Sequence, residues 1–131
     1  MEKIIYEYSI LRCVPDIERG EFLNVGLMMM SKRQRWLQVR VNIDTDRLRI
    51  LSPRLDCERL RIQLEAFLRT DVPFPSLPVE ERYRWLAAVK SALIQTSPSH
   101  PGILLSNGQV KAMDLLEEKF RELYQRLVLM P

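Results

Sequence analysis

The sequence predicts an α+β fold: a small antiparallel sheet of three N-terminal strands, with room for a short fourth, covered on one face by about three helices. Three observations point there. Residues 5–42 hold three strand-like runs separated by compact turns. After Ser52, apolar residues recur at helical spacing in three segments split by proline-rich stretches. Between the first and third runs lies Arg19-Gly20-Glu21-Phe22-Leu23-Asn24-Val25-Gly26-Leu27-Met28-Met29-Met30, a middle strand that short turns reach from both sides. At 131 residues the chain forms a single domain, 1–131, large enough to bury a core without staples.

The first strand spans residues 5–14, rich in tyrosine and β-branched side chains, and Pro15-Asp16 stops it. Asp16 can bond a nearby amide and Gly20 can take a positive φ, so residues 15–20 form a turn. The second strand runs over 21–30, a charged turn follows at 31–35, and the third strand covers 36–42. Pairing Met30 with Trp36 places Leu23, Val25, Leu27 and Met29 on one face with Leu37, Val39 and Val41. The opposite face then holds Phe22, Asn24, Gly26 and Met28 beside Gln38, Arg40 and Asn42, with Arg12 next to Asn24 to avoid a buried unpaired charge.

Residues 44–51 read as a polar connection. Ser52-Pro53 reads as a helix start, and a helix runs to about Arg69 with Leu60, Leu64, Phe67 and Leu68 on one side. Three prolines make 71–78 a stiff linker. The next helix opens at Pro78, with Glu80 and Glu81 in its first turn and Tyr83, Leu86, Ala87, Val89, Leu93 and Ile94 on its apolar side. Residues 96–102 are irregular, Ile103-Leu104-Leu105 is the short fourth strand, and Asn107-Gly108 closes it. The last helix covers 109–128, its apolar stripe formed by Met113, Leu116, Phe120, Leu123, Tyr124 and Leu127.

The composition, 47% hydrophobic and 28% charged, is that of a soluble globular protein. The longest uncharged apolar run is about half the twenty residues that span a bilayer. The N-terminus lacks the pattern of a signal peptide, so the expectation is a cytoplasmic protein that does not engage a membrane. Cys13 and Cys57 read as two reduced thiols. The net charge of +3 is uneven: residues 31–61 alone carry +5. Fifteen of the twenty basic residues are arginine, which suits planar contacts to phosphate or carboxylate.

No metal cage, phosphate-cradling loop or nucleophile elbow is present, and no cofactor is implied. The candidate site is a notch on the sheet: Asn24 and Gly26 disfavour strand interiors yet share one face, and Arg12, Arg40 and Glu21 line it. A hydrogen-bonded asparagine stitching a loop to the sheet is the competing structural reading. Arg19 belongs first to the turn Arg19-Gly20-Glu21. His100, the only histidine, is a candidate acid or base that sits between prolines in a loop.

The stretch Tyr8-Ser9-Ile10-Leu11-Arg12-Cys13-Val14-Pro15-Asp16, followed by Arg19-Gly20-Glu21-Phe22-Leu23-Asn24-Val25-Gly26, resembles the opening signature of an uncharacterised bacterial family. That family is the domain of unknown function numbered three thousand and thirty-seven. The likeness continues at Ser97-Pro98 and at Leu123-Tyr124-Gln125-Arg126-Leu127-Val128 and covers nearly the whole chain. Cys13 stands where an aromatic is common, and Leu27-Met28-Met29-Met30 where valine and phenylalanine are commoner. The resemblance implies a small stand-alone protein without assigned activity. Some members are encoded beside kinases similar to the persistence-toxin type, which implies a partner role.

The leading expectation is therefore an interaction module that binds a protein partner, such as a neighbouring kinase, through the polar sheet face and the arginine-rich flank. The alternatives are nucleic-acid binding through the arginine-rich segment 31–61 and an enzyme acting on a phosphorylated small molecule. The enzyme requires Arg12, Glu21, Asn24 and His100 to converge.

Overall fold

The computed structural model describes residues 2–68, 76–88 and 93–130. The elements run β1 (Glu2–Cys13), β2 (Leu23–Ser31), β3 (Trp36–Val41), α1 (Thr45–Leu51), α2 (Cys57–Leu68), α3 (Val79–Ala87), β4 (Ile94–Thr96), β5 (His100–Ser106) and α4 (Ala112–Tyr124). α4 continues into a π-helical turn, Gln125–Leu129. Five antiparallel strands form one sheet in the order β3-β2-β1-β4, and β5 extends the β4 side by pairing with the first half of β1. The fold is α+β, as the residues predict.

The hairpin turn between β2 and β3 is tighter than expected. Ser31 pairs with Trp36, leaving four loop residues closed by an Arg35 N–H to Lys32 C=O bond of 3.1 Å, with Arg35 at φ 50°. Met30 therefore faces Leu37 rather than Trp36, a one-residue slip from the expected register. Alternation gave no protection against that slip, because every residue from 25 to 30 is buried.

A strand buried on both sides needs cover on both sides, and the helices divide accordingly. On one face Met28 and Met30, with Leu37 and Val39 beside them, pack under Leu60 and Leu64 of α2 and Val79, Tyr83 and Leu86 of α3. On the other, Leu27, Met29 and Trp36 pack under Leu116, Phe120, Leu123 and Tyr124 of α4. The expectation of helices on one face is thus corrected to a three-layer arrangement.

Residues 44–51 are not a bare connection. Asp44 caps α1, its Oδ1 accepting from the Arg47 N–H at 3.2 Å. Ser52-Pro53 then forms a turn, and Asp56 takes over the capping of α2 by accepting the Arg59 N–H at 3.1 Å. Ile94, expected on a helix, starts β4, whose three residues are held by pairing with Leu11, Arg12 and Cys13. Most of the expected linker at 71–78 lies outside the described residues, as do Val89 and the side chain of Phe67.

Cys13 and Cys57 are free thiols. Burial, with repulsion from Cys57 as the smaller cause, pushes the Cys13 thiol from 9.0 up to about 11. Between those values the unfolded chain has released a proton that the folded chain still holds, so stability falls as pH rises. At pH 10.5 the loss should reach roughly 2 kcal/mol relative to pH 8. Burial also raises Tyr83 and Tyr124, which adds to the fall. Urea midpoints at the two pH values should drop less for Cys13→Ala than for the parent.

Candidate functional site

The residues singled out by sequence fall in three separate places. The first is the sheet itself. Leu11 pairs with Gly26 and Arg12 with Asn24, so Val25 is an extra residue that bulges β2. The bulge turns Val25 into the core with Leu11 and Cys13 and aims Asn24 at the end of α4. There Asn24 Nδ2 donates to the Leu127 carbonyl at 3.0 Å, and Arg47 Nη1 donates to the Val128 carbonyl at 3.3 Å. Helix ends leave carbonyls without intrahelical partners, and these two side chains satisfy a pair of them.

Asn24 is therefore a stitch beneath the helical layer and not part of an open polar surface with Gln38 and Arg40. Arg40 does lie on this face, but its guanidinium sits 5.3 Å from the Tyr124 ring centroid and 6.0 Å from that of Phe120. The Arg12 guanidinium stacks 4.4 Å from the Phe22 ring centroid. Among the described residues, the enclosed Arg12 Nε and Asn24 Oδ1 have no hydrogen-bond partner. Gly26 makes room, since a Cβ there would stand 2.8 Å from Leu11 Cδ1. Asn24→Ala should cost about 1–3 kcal/mol by stranding the Leu127 carbonyl, measured as a lower urea midpoint with an unchanged slope.

Arg19 and Glu21 occupy the second place, the loop after β1. They form an exposed ion pair, Nε to Oε1 at 2.6 Å, and Gly20 between them has φ 72° as the turn requires. They line a groove of about 320 Å³ with Asp16 and Ser52. A wider hollow of about 690 Å³ adjoins it, lined by Arg54, Asp56 and Arg59. Three arginines here face three carboxylates, so the groove favours neither sign of ligand. His100 is the third place: it opens β5 opposite Tyr8, ring centroids 5.1 Å apart. Tyr8 and Arg12 are four residues apart on β1, roughly 13 Å. Arg12, Glu21, Asn24 and His100 thus do not converge on one pocket.

The arginine-rich segment is also dispersed. Lys32 and Arg33 border the small hollow beside Ile5 and Tyr6, whereas Arg54 and Arg59 lie beside Val14 and Pro15 at the far end of β1. Arg40 stacks on α4, Arg47 bonds Val128, and Arg61 pairs with Glu58 and Glu65. No group of three or more metal-ligating side chains occurs among the described residues, and no helix there is long and apolar enough to cross a membrane.

A different surface stands out once the layers are in place. The helices α2 and α3 pack on the Cys13 end of their sheet face, where the Tyr83 hydroxyl lies 2.6 Å from Ser9 Oγ. Towards the start of β1, none of the described helices packs on that face. Ile5 pairs with Ile103 and Lys3 with Leu105, so these side chains share it. Ile5, Ile103 and Leu105 are 53%, 57% and 59% exposed. Lys3, Lys32 and Arg33 surround them, and among the described residues none of the three is ion-paired. Glu7 lies on the same face of β1, and it accepts from Ser99 Oγ at 3.0 Å. Sequence reading passed over this patch because Ile103-Leu104-Leu105 does not alternate. The available signal was Pro101, which marks an edge strand.

No curated protein and no solved structure matches the chain significantly. A protein-family model does, over residues 8–128, under the description "Protein of unknown function (DUF3037)". That span takes in the bulged hairpin, both helical layers and the C-terminal stitch, and the chain belongs to this family.

Proposed function

We propose that the protein is an interaction module whose docking surface is the bare half of the sheet, formed by β1 and β5. One observation supports this above the others: three neighbouring aliphatic side chains, each more than half exposed, share one face of β1 and β5. Contiguous exposed apolar area of this kind marks binding sites more often than isolated surface apolars do. The family resemblance makes a neighbouring persistence-toxin-like kinase the first partner to test.

Introducing charge at the centre of the patch tests the reading. Ile103→Asp with Leu105→Asp should abolish co-purification of the partner from the native host, a loss of at least tenfold, and leave the melting temperature within a few degrees. Both side chains already face solvent, so folding should tolerate the change. Undiminished capture by the folded double variant would refute the proposal.

A further inference from the structure

Beyond that reading, which concerns a face of the sheet, we infer that two copies of the chain pair through the outer edge of β5, antiparallel about a two-fold axis at Ile103. The direction of the peptide groups follows from bonds on either side of β1. Ser31 Oγ donates to the Ile5 carbonyl at 2.8 Å on the β2 side. Ser97 N–H donates to the Ile10 carbonyl at 2.8 Å on the β4 side. Even-numbered β1 residues therefore turn their peptide groups towards β4 and β5, because antiparallel pairs alternate between bonded and non-bonded. Of these, Ile4, Tyr6 and Tyr8 meet Leu104, Gly102 and His100. Pro101, Ile103 and Leu105 consequently direct their peptide groups outward, to an edge that no strand pairs among the described residues.

That edge is suited to a second copy of itself. Strands that stay unpaired carry charges or bulges, whereas His100–Ser106 holds no Lys, Arg, Asp or Glu and pairs with β1 without a register shift. With Ile103 opposite Ile103 of the second copy, Pro101 stands opposite Leu105. The Ile103 N–H then meets the Ile103 carbonyl and the Leu105 N–H meets the Pro101 carbonyl, both repeated by symmetry. The missing proline N–H removes a bond only at each end of this ladder. Charge selects the same register. Lys3 flanks Leu105 and Glu7 flanks Pro101, so Lys3 of each copy shares a cross-strand row with Glu7 of the other. Neither is ion-paired within the chain among the described residues. A uniformly acidic or basic segment would instead meet like charge at one end. Between the charged rows, Ile5 and Ile103 of both copies line up as one apolar row, which joins the two proposed docking faces.

Sedimentation equilibrium of the purified full chain tests this without any partner. A reversible dimer should form at concentrations up to about 1 mM, a range that reveals even weak contacts. Leu105→Pro removes an outward N–H and leaves the pairing with β1 intact; Leu105→Thr removes aliphatic bulk and keeps the donor. With both variants folded by circular dichroism, Leu105→Pro should weaken the dimer at least tenfold beyond Leu105→Thr. Cysteine crosslinking with oxidised glutathione, in a Cys57→Ser background, reads the register independently. Ile103→Cys should crosslink, since directly opposed bonded residues have Cα atoms about 5.5 Å apart, within disulfide reach. Leu105→Cys should not, because its two copies stand roughly 14 Å apart. A monomer at every concentration, equal weakening by the two Leu105 variants, or crosslinking of Leu105→Cys as fast as Ile103→Cys would overturn the inference. A chain that stays monomeric yet captures its native partner would keep the docking face and remove the dimer.

Discussion

Phe120→Ala should be the most damaging single substitution on the α4 face, costing about 3–5 kcal/mol. Phe120 is fully buried and holds three partners in place. Its ring meets Trp36 edge-on at 6.3 Å and 86°, and it stacks on Tyr124 at 6.1 Å and 10°. Arg40 closes the open side of the pair. Truncation leaves a cavity between helix and sheet, and it removes ring contacts that contribute beyond buried area. With 131 residues and marginal overall stability, the variant should lose much of its cooperative unfolding transition. Calorimetry measures this; a melting temperature within a few degrees of the parent would show that α4 is not integral to the core.

Gly26→Val should be nearly as severe, for the opposite reason. The space at Gly26 is already filled: a Cβ would stand 2.8 Å from Leu11 Cδ1, 3.0 Å from the Arg40 carbonyl oxygen and 3.1 Å from Val41 Cγ1. The leucine methyl can move, but the carbonyl belongs to the paired backbone of β3 and cannot retreat without breaking the ladder. A branched side chain there overpacks the sheet by about 1–3 kcal/mol or more. It also presses on the bulge that orients Asn24, so β3 and the C-terminal turn should loosen together. Amide exchange should quicken in both. A stable variant with native exchange rates would mean that β3 can give way at the Arg40 carbonyl without loosening the sheet.

These two residues bear on what the sequence could disclose. Gly26 and Asn24 were legible as odd, because neither belongs in a strand interior. Their purpose was not legible, since it depends on a bulge one residue away and on carbonyls a hundred positions later. Apolar periodicity marked out strands β1 to β3 and helix α4. The register of β2 against β3 escaped it because an unbroken apolar run has no preferred face. That same run is the mark of a strand covered on both sides, and it was the available sign of a second helical layer. α1 was missed although Asp44 stands at its N-cap, and β4 because three residues become a strand only through their partners. The exposed apolar patch was invisible for a related reason: Ile5 and Ile103 are ninety-eight positions apart and become neighbours only in the folded sheet.

The face under α4 is closed by Asn24 and Arg47, and the opposite face exposes Ile5, Ile103 and Leu105, where a partner is proposed to dock. Amide exchange of the chain with its co-purified partner bound, compared with the free chain, measures this directly. Protection should rise in residues 100–106 and 2–8 and remain unchanged in 112–129. Protection confined to α4 and β3, with β5 exchanging as in the free chain, would contradict it.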